Sequence, residues 1–262
     1  MKNPRRYGNP PYSVVVVHGG PGAVGEMAPV ARELSTDFGV IEPIQTESSI
    51  EDQANELKIV VEKNCDSPIT LIGFSWGAWL CYIFAAKNPV LVNKLILVSN
   101  GPFEEKYVSE IQKTRFSRLN KKEIAEVESL FEVLKNPSMK DKNPIFARFG
   151  ILFSKADAND PIKSESDKSE IDFQSEIFQS VWKEAAELRR SGALLKLGKQ
   201  INCPVVAIHG EYDPHPADGV QKPLAAILLN FRFIILKNCG HKPWIERHAK
   251  EKFYSLLKAE LI

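Results

Sequence analysis

ITLIGFSWGA, residues 69–78, is the stretch on which the fold turns. Its first six residues make a short, nearly continuous apolar run, the pattern of a parallel strand buried on both faces. The run ends in Gly73-Phe74-Ser75-Trp76-Gly77, a G-x-S-x-G pattern, and residues 76–87 carry a helical pattern. A serine in this position projects from a tight, strained turn at the carboxyl edge of a sheet. Gly73 and Gly77 remove side chains where strand and helix nearly touch, and Ala78 keeps that packing close. The amino end of the helix, with its unpaired N–H groups, then faces the hydroxyl. G-x-S-x-G alone is a weak signal that any Gly/Ser turn can give. Its placement between a strand and a helix makes it informative.

Outward from this stretch, short apolar runs recur at 13–17, 38–41, 94–99, 204–209 and 231–236. Helical patterns intervene at 26–34, 50–63, 217–229 and 243–257. Strands that alternate with helices predict an open α/β sheet of about six strands, mostly parallel, with helices on both faces. Only about a dozen residues precede the run at 13–17, so the expectation is six strands, all parallel. The interval 103–200 breaks the rhythm. It offers no buried strand, but helical periodicity at 121–135 and 171–190 and a polar stretch at 154–169 that reads as a mobile loop. It reads as a helical cap insertion after the fourth strand, so the core domain comprises residues 1–102 and 201–262.

Three further loops carry candidate chemistry. The first strand leads into His18-Gly19-Gly20-Pro21-Gly22, where the backbone can approach a ligand closely. A developing oxyanion needs N–H donors, and Gly20 and Trp76 are the candidates. Pro21 breaks both the Walker and the G-x-G-x-x-G phosphate patterns. The run at 204–209 leads to Gly210-Glu211-Tyr212-Asp213-Pro214-His215-Pro216. Asp213, rigidified by Pro214, is the best-placed acid to orient an imidazole, ahead of Glu211 and Asp218. His215 has no partner ligands at metal spacing and reads as a loop residue. The run at 231–236 leads to His241, ahead of a helix that Pro243 can start. His241 can reach Ser75 as a general base. His18 reads as a brace for the glycine-rich loop, His209 as a core residue and His248 as solvent-facing on the last helix. Ser75, Asp213 and His241 thus form a candidate catalytic triad in the chain order Ser, Asp, His.

With loop, elbow, acid and histidine in this order, the chain resembles the α/β-hydrolases over residues 13–102 and 203–260. Its His-Gly-Gly-Pro-Gly loop and Ser75-Trp76-Gly77 elbow are similar to those of proline iminopeptidase-like members. The resemblance implies Ser75 as nucleophile, His241 as base, Asp213 as its orienting acid, and Gly20 and Trp76 as oxyanion donors. It also implies a cap domain over the pocket. Phe74 departs from the second glycine that proline iminopeptidases commonly carry there. An aminopeptidase also needs carboxylates for the substrate ammonium. Glu104, Glu105, Asp172 and Glu176 lie in the insertion, but charged helix faces are usually just solvated, and none is assigned a role. The aromatic residues Phe146, Phe149, Phe153, Phe173, Phe178 and Trp182 suit an apolar pocket or, for most of them, the insertion's own core.

Composition narrows the classes. Apolar residues make up 44% and charged residues 26%, with a net charge of +1 and no long single-sign run, so neither nucleic acid nor an anionic membrane is expected as a partner. Cys65, Cys81, Cys203 and Cys239 lie at no CxxC spacing, which argues against a zinc site or a redox pair. No apolar stretch approaches the roughly 20 residues needed to span a bilayer, and the prolines near the N-terminus break any signal-peptide core. A cytoplasmic location is expected. The expected activity is hydrolysis of a small ester or amide, such as a short peptide, without metal or organic cofactor. The same triad also serves lyases, haloperoxidases and carbon–carbon bond hydrolases on this fold, and the third alternative is a non-catalytic ligand-binding module.

Overall fold

The structure is a computed structural model that describes residues 3–134, 142–162 and 172–262. Its strands in chain order are β1 (Arg5–Tyr7), β2 (Tyr12–Val17), β3 (Ala23–Val24), β4 (Gly39–Glu42), β5 (Ile69–Phe74), β6 (Val92–Val98), β7 (Asp172–Phe173), β8 (Val205–Gly210) and β9 (Phe231–Leu236). One seven-stranded sheet has the order β1-β4-β2-β5-β6-β8-β9. The six predicted strands are all in it and all run parallel. The seventh corrects the expectation of a purely parallel sheet: β1 pairs antiparallel with β4 at the edge. No apolar run announces it, because polar contacts hold it. The Tyr7 hydroxyl donates to Glu42 Oε2 at 2.7 Å, and Arg5 Nη1 lies 3.5 Å from the same oxygen.

Residues alternate between the two faces of the sheet, as the period of two requires. Val15, Val17, Leu71, Leu95, Leu97 and Ala207 join one buried cluster, and Val14, Val16, Ile72, Ile96, Val98 and Ile208 join the other. The helices α1 (Ala28–Leu34) and α10 (Lys250–Leu261) cover the second face. The first is covered by α2 (Ile50–Asn64), α3 (Trp76–Lys87) and α9 (Asp218–Ile227). Every residue of α3 from Trp76 to Ala86 is buried, as befits a helix that is apolar on all sides.

Between β6 and β8 the chain forms α4 (Val108–Arg118), α5 (Lys121–Leu134), α6 (Asn143–Asp157), α7 (Ser175–Arg190) and α8 (Ala193–Lys196). Leu119, Val127, Phe149, Leu152 and Ala156 give this segment a small core of its own. The polar stretch expected to be a loop begins inside α6, whose last residues run to Asp157; residues 163–169 of it lie outside the described residues. The predicted helix at 171–190 starts later, at Ser175, behind the two-residue strand β7, which pairs with β3 beside the glycine-rich loop. The predicted helix at 243–257 divides into a single 3-10 turn at Pro243–Ile245 and α10.

Candidate active site

Strand order sets the position of the site. After β2 the chain adds β4 on one side and then β5 on the other. A crevice opens outside the carboxyl ends of strands at such a switch point. Val17 at the end of β2 pairs with Gly73 near the end of β5, so the His18–Gly22 loop and Ser75 leave the sheet side by side.

Ser75 sits at φ 53° and ψ −115°, a conformation that side-chain-bearing residues rarely adopt. Its N–H donates to the Val98 carbonyl oxygen at 2.9 Å. The flanking glycines are required by contact: a Cβ on Gly73 would lie 2.4 Å from the Gly77 oxygen, and one on Gly77 would lie 2.3 Å from the His18 oxygen. The sharp turn thus leaves the hydroxyl at the head of α3, where the first N–H groups have no partner within the helix.

The three candidate triad residues meet. His241 Nδ1 lies 2.8 Å from Asp213 Oδ2, and His241 Nε2 lies 3.2 Å from Ser75 Oγ. A carboxylate only accepts, so Nδ1 carries the proton and donates to Asp213. Nε2 is then left as the acceptor for the Ser75 hydroxyl. Asp213 and His241 are each only 8% exposed, so their charges interact with little screening by water. Burial would raise the Asp213 pKa, yet the neighbouring imidazoles of His241, His215 and His209 together hold it well below the usual carboxylate range. Burial would lower that of His241, but the Asp213 charge and hydrogen bond, with Asp157 adding to them, hold it above the ordinary histidine value. The weaker acids are elsewhere: Glu211 is exposed, and Asp218 pairs with Lys222 at 2.6 Å.

Sequence reasoning missed the role of His215. Its Nδ1 lies 2.7 Å from Asp213 Oδ1 and its backbone N–H donates to the same oxygen at 2.9 Å, while its ring packs on that of His241 with centroids 4.6 Å apart. Asp213, His215 and His241 therefore bring three donor atoms within 4.8 Å of one another, a grouping that spacing along the chain did not suggest. Hydrogen bonds to Asp213 already engage both Nδ1 atoms. The signal available in the sequence was Asp-Pro-His-Pro, a histidine two residues past the acid and fixed between prolines.

Other histidines follow their sequence reading more closely. His18 is fully buried, with Nδ1 2.8 Å from the Gly19 oxygen, and the Gln45 N–H reaches its Nε2 at 3.4 Å. Its pKa is lowered by burial, so it braces the loop as a neutral ring. His209 is buried and donates from Nε2 to the His215 carbonyl oxygen at 2.8 Å. His248 is exposed but precedes α10 and stands 3.3 Å from Asp160. In the glycine-rich loop, Gly20 takes φ 37° and is partly exposed. Trp76 anchors the other candidate donor through its ring, whose Nε1 donates to Gln45 Oε1 at 2.9 Å. All four cysteines are free, and burial raises each thiol pKa, so none offers a thiolate nucleophile.

The segment between β6 and β8 touches three of the four loops of the site. The His241 N–H donates to the Asp157 carbonyl oxygen at 2.9 Å, and Arg115 holds the Asp157 carboxylate through two bonds of 2.7 and 2.6 Å. The Arg118 guanidinium stacks 3.6 Å over the Tyr212 ring beside Asp213. The Gln174 N–H donates to the Gly22 oxygen at 3.0 Å. Most of the aromatic residues pack among themselves, in a row from Phe146 through Phe178 and Trp182 to Trp79 on α3. The Phe173 side chain lies outside the described residues. Among the described residues no helix is long and apolar enough to cross a membrane.

Comparison with known proteins agrees with this architecture. No curated protein matches the chain. Solved structures do, at low identity. VinJ superposes with a TM-score of 0.71 at 17% identity, over 98% of this chain and 93% of that one. A thermophilic esterase from Thermogutta terrifontis gives 0.63 at 18%, over 98% and 92%. The monoacylglycerol lipase of Paleococcus ferrophilus gives 0.63 at 15%, over 100% and 98%. A family profile described as alpha/beta hydrolase fold matches residues 12–247, and the chain belongs to that family.

Proposed function

We propose that this protein is a serine hydrolase that cleaves a small ester through an acyl-enzyme intermediate. The observation that carries this reading is the continuous hydrogen-bonded chain from Ser75 Oγ through His241 to a buried Asp213, with Ser75 held at a strained turn. In this mechanism His241 Nε2 takes the hydroxyl proton as Ser75 Oγ attacks the carbonyl carbon. The N–H groups of Gly20 and Trp76 receive the oxyanion. His241 returns the proton to the leaving alkoxide, and then activates a water that releases the acid and restores Ser75. Asp213 keeps the imidazole in the required tautomer and stabilises its charged form. The helices between β6 and β8 cover the site as a cap. Structural relatives whose names include an esterase and a lipase are in keeping with this reaction class.

Esters are favoured over aminoacyl substrates because two of the four carboxylates considered for a substrate ammonium are held in ion pairs. Glu105 pairs with Arg189 at 2.8 Å, Glu104 pairs with Lys106 at 2.9 Å, and Glu176 is exposed. The side chain of Asp172 lies outside the described residues. A panel of p-nitrophenyl esters and aminoacyl p-nitroanilides, run on wild type and Ser75→Ala, tests the reading. Ester turnover that Ser75→Ala abolishes is expected. Faster cleavage of the anilides would replace the esterase reading with a peptidase, and no turnover of either would count against a hydrolase.

A further inference from the structure

Asp213 serves two imidazoles, and the proposed mechanism uses only one. Oδ2 accepts from His241, while Oδ1 is occupied by His215, which reaches it with both its N–H and its Nδ1. His215 is itself fixed: its carbonyl oxygen accepts a hydrogen bond from His209 Nε2, and prolines stand on either side of it. We propose that His215 is a positioning residue that fixes the Asp213 carboxylate against His241 and sets how strongly that carboxylate holds the His241 proton.

The effect depends on which protonation state the extra donor favours. With His241 neutral, the Asp213 charge is uncompensated and gains most from a donor at Oδ1. With His241 protonated, the carboxylate is already part of an ion pair and gains less. His215 therefore favours the neutral form of His241, the form that can act as a base. Other groups face this cluster. His209 stands 3.9 Å from Asp213, the Arg115–Asp157 pair lies on the cap side, and Lys242 next in the chain is paired with Glu26 at 2.7 Å. Their own bonds do not use the His215 side chain, so its replacement breaks none of them.

The inference rests on the hydrolase reading for its catalytic meaning, but its test does not. Protein labelled with 13C and 15N at histidine is titrated by NMR as wild type, His215→Leu and His215→Asn, with His241→Gln to assign the signal. In His215→Leu the His241 titration is expected to move up by about half a unit to one unit, a three- to tenfold gain in proton affinity. In His215→Asn it is expected to return toward wild type, because the Asn amide nitrogen can take the place of Nδ1. The acid limb of kcat/KM should move with it at an unchanged KM. If His215→Leu loses its cooperative melt, His215→Gln, whose donor is displaced by one methylene, takes its place. An unmoved His241 titration overturns the inference, and so does an equal shift in the Leu and Asn variants, which would report lost packing alone. If the titration moves but Ser75 proves unreactive, the hydrolase reading fails and the coupling stands.

Discussion

At the residue scale, the strongest constraint on the chemistry is electrostatic. In the proposed mechanism His241 has to be neutral to accept the Ser75 proton, and Asp213 holds its pKa above the ordinary value of about 6.5. As pH falls through that raised pKa the base becomes protonated and the rate is lost. The acid limb of kcat/KM against pH should therefore have its midpoint above 6.5, and a midpoint below it would contradict the assignment of His241. That Ser75, Asp213 and His241 come together was legible in the sequence because each lies on the loop after a continuous apolar strand, and parallel strands present those loops at one edge of the sheet. His215 was not, because side-chain direction within a loop is set by hydrogen bonds that spacing does not reveal. Asp213 turns one oxygen to each ring, Oδ1 to His215 and Oδ2 to His241.

At the scale of elements, the turn between β5 and α3 does the positioning. Gly77 sits against the backbone oxygens of His18 and Val17, so α3 crosses the ends of β2 and β5 with no room for a methyl group. Gly77→Ala pushes backbone against backbone, for which overpacking costs of about 1–3 kcal/mol are typical. Thermal melting should register a loss of about 2–12 °C, together with reduced ester turnover as Ser75 and the His18–Gly22 loop separate. An unchanged melt would mean that the close approach is not required. The bounds of α3 are legible to the residue, since they coincide with a glycine-serine turn and a polar stop. β1 is not, because its three residues, Arg5 to Tyr7, carry no apolar signal and are held through buried Glu42 instead. The expected last helix begins too early because Pro243 opens only a single turn before the chain bends at Glu246.

At the scale of the whole molecule, the insertion and the sheet are joined next to His241. The fully buried Glu246 accepts from the N–H groups of Asn159, Asp160 and Gly240 at 2.8, 2.8 and 3.0 Å. One carboxylate thus ties the exit of α6 to the residue before His241. Glu246→Gln puts an NH2 group against this ring of donors and leaves at least one unsatisfied, at a cost of about 1–3 kcal/mol. Hydrogen exchange should then accelerate at residues 159, 160 and 240 and leave the β5 amides protected. Uniform acceleration throughout would point to general destabilisation rather than a local staple. No pattern in the sequence marks this contact, since its partners are backbone groups, two of them in the insertion and 87 and 86 residues away along the chain.

The central claim is that Ser75 is an activated nucleophile, and covalent labelling tests it most directly. Wild type, Ser75→Ala and His241→Gln are exposed to a fluorophosphonate probe and the modified residue is mapped by mass spectrometry. The prediction is a single adduct on Ser75 in the wild type, none in Ser75→Ala, and labelling slowed by orders of magnitude in His241→Gln. A folded wild type that stays unmodified by both a bulky and a small phosphonate, or an adduct at another residue, would contradict it.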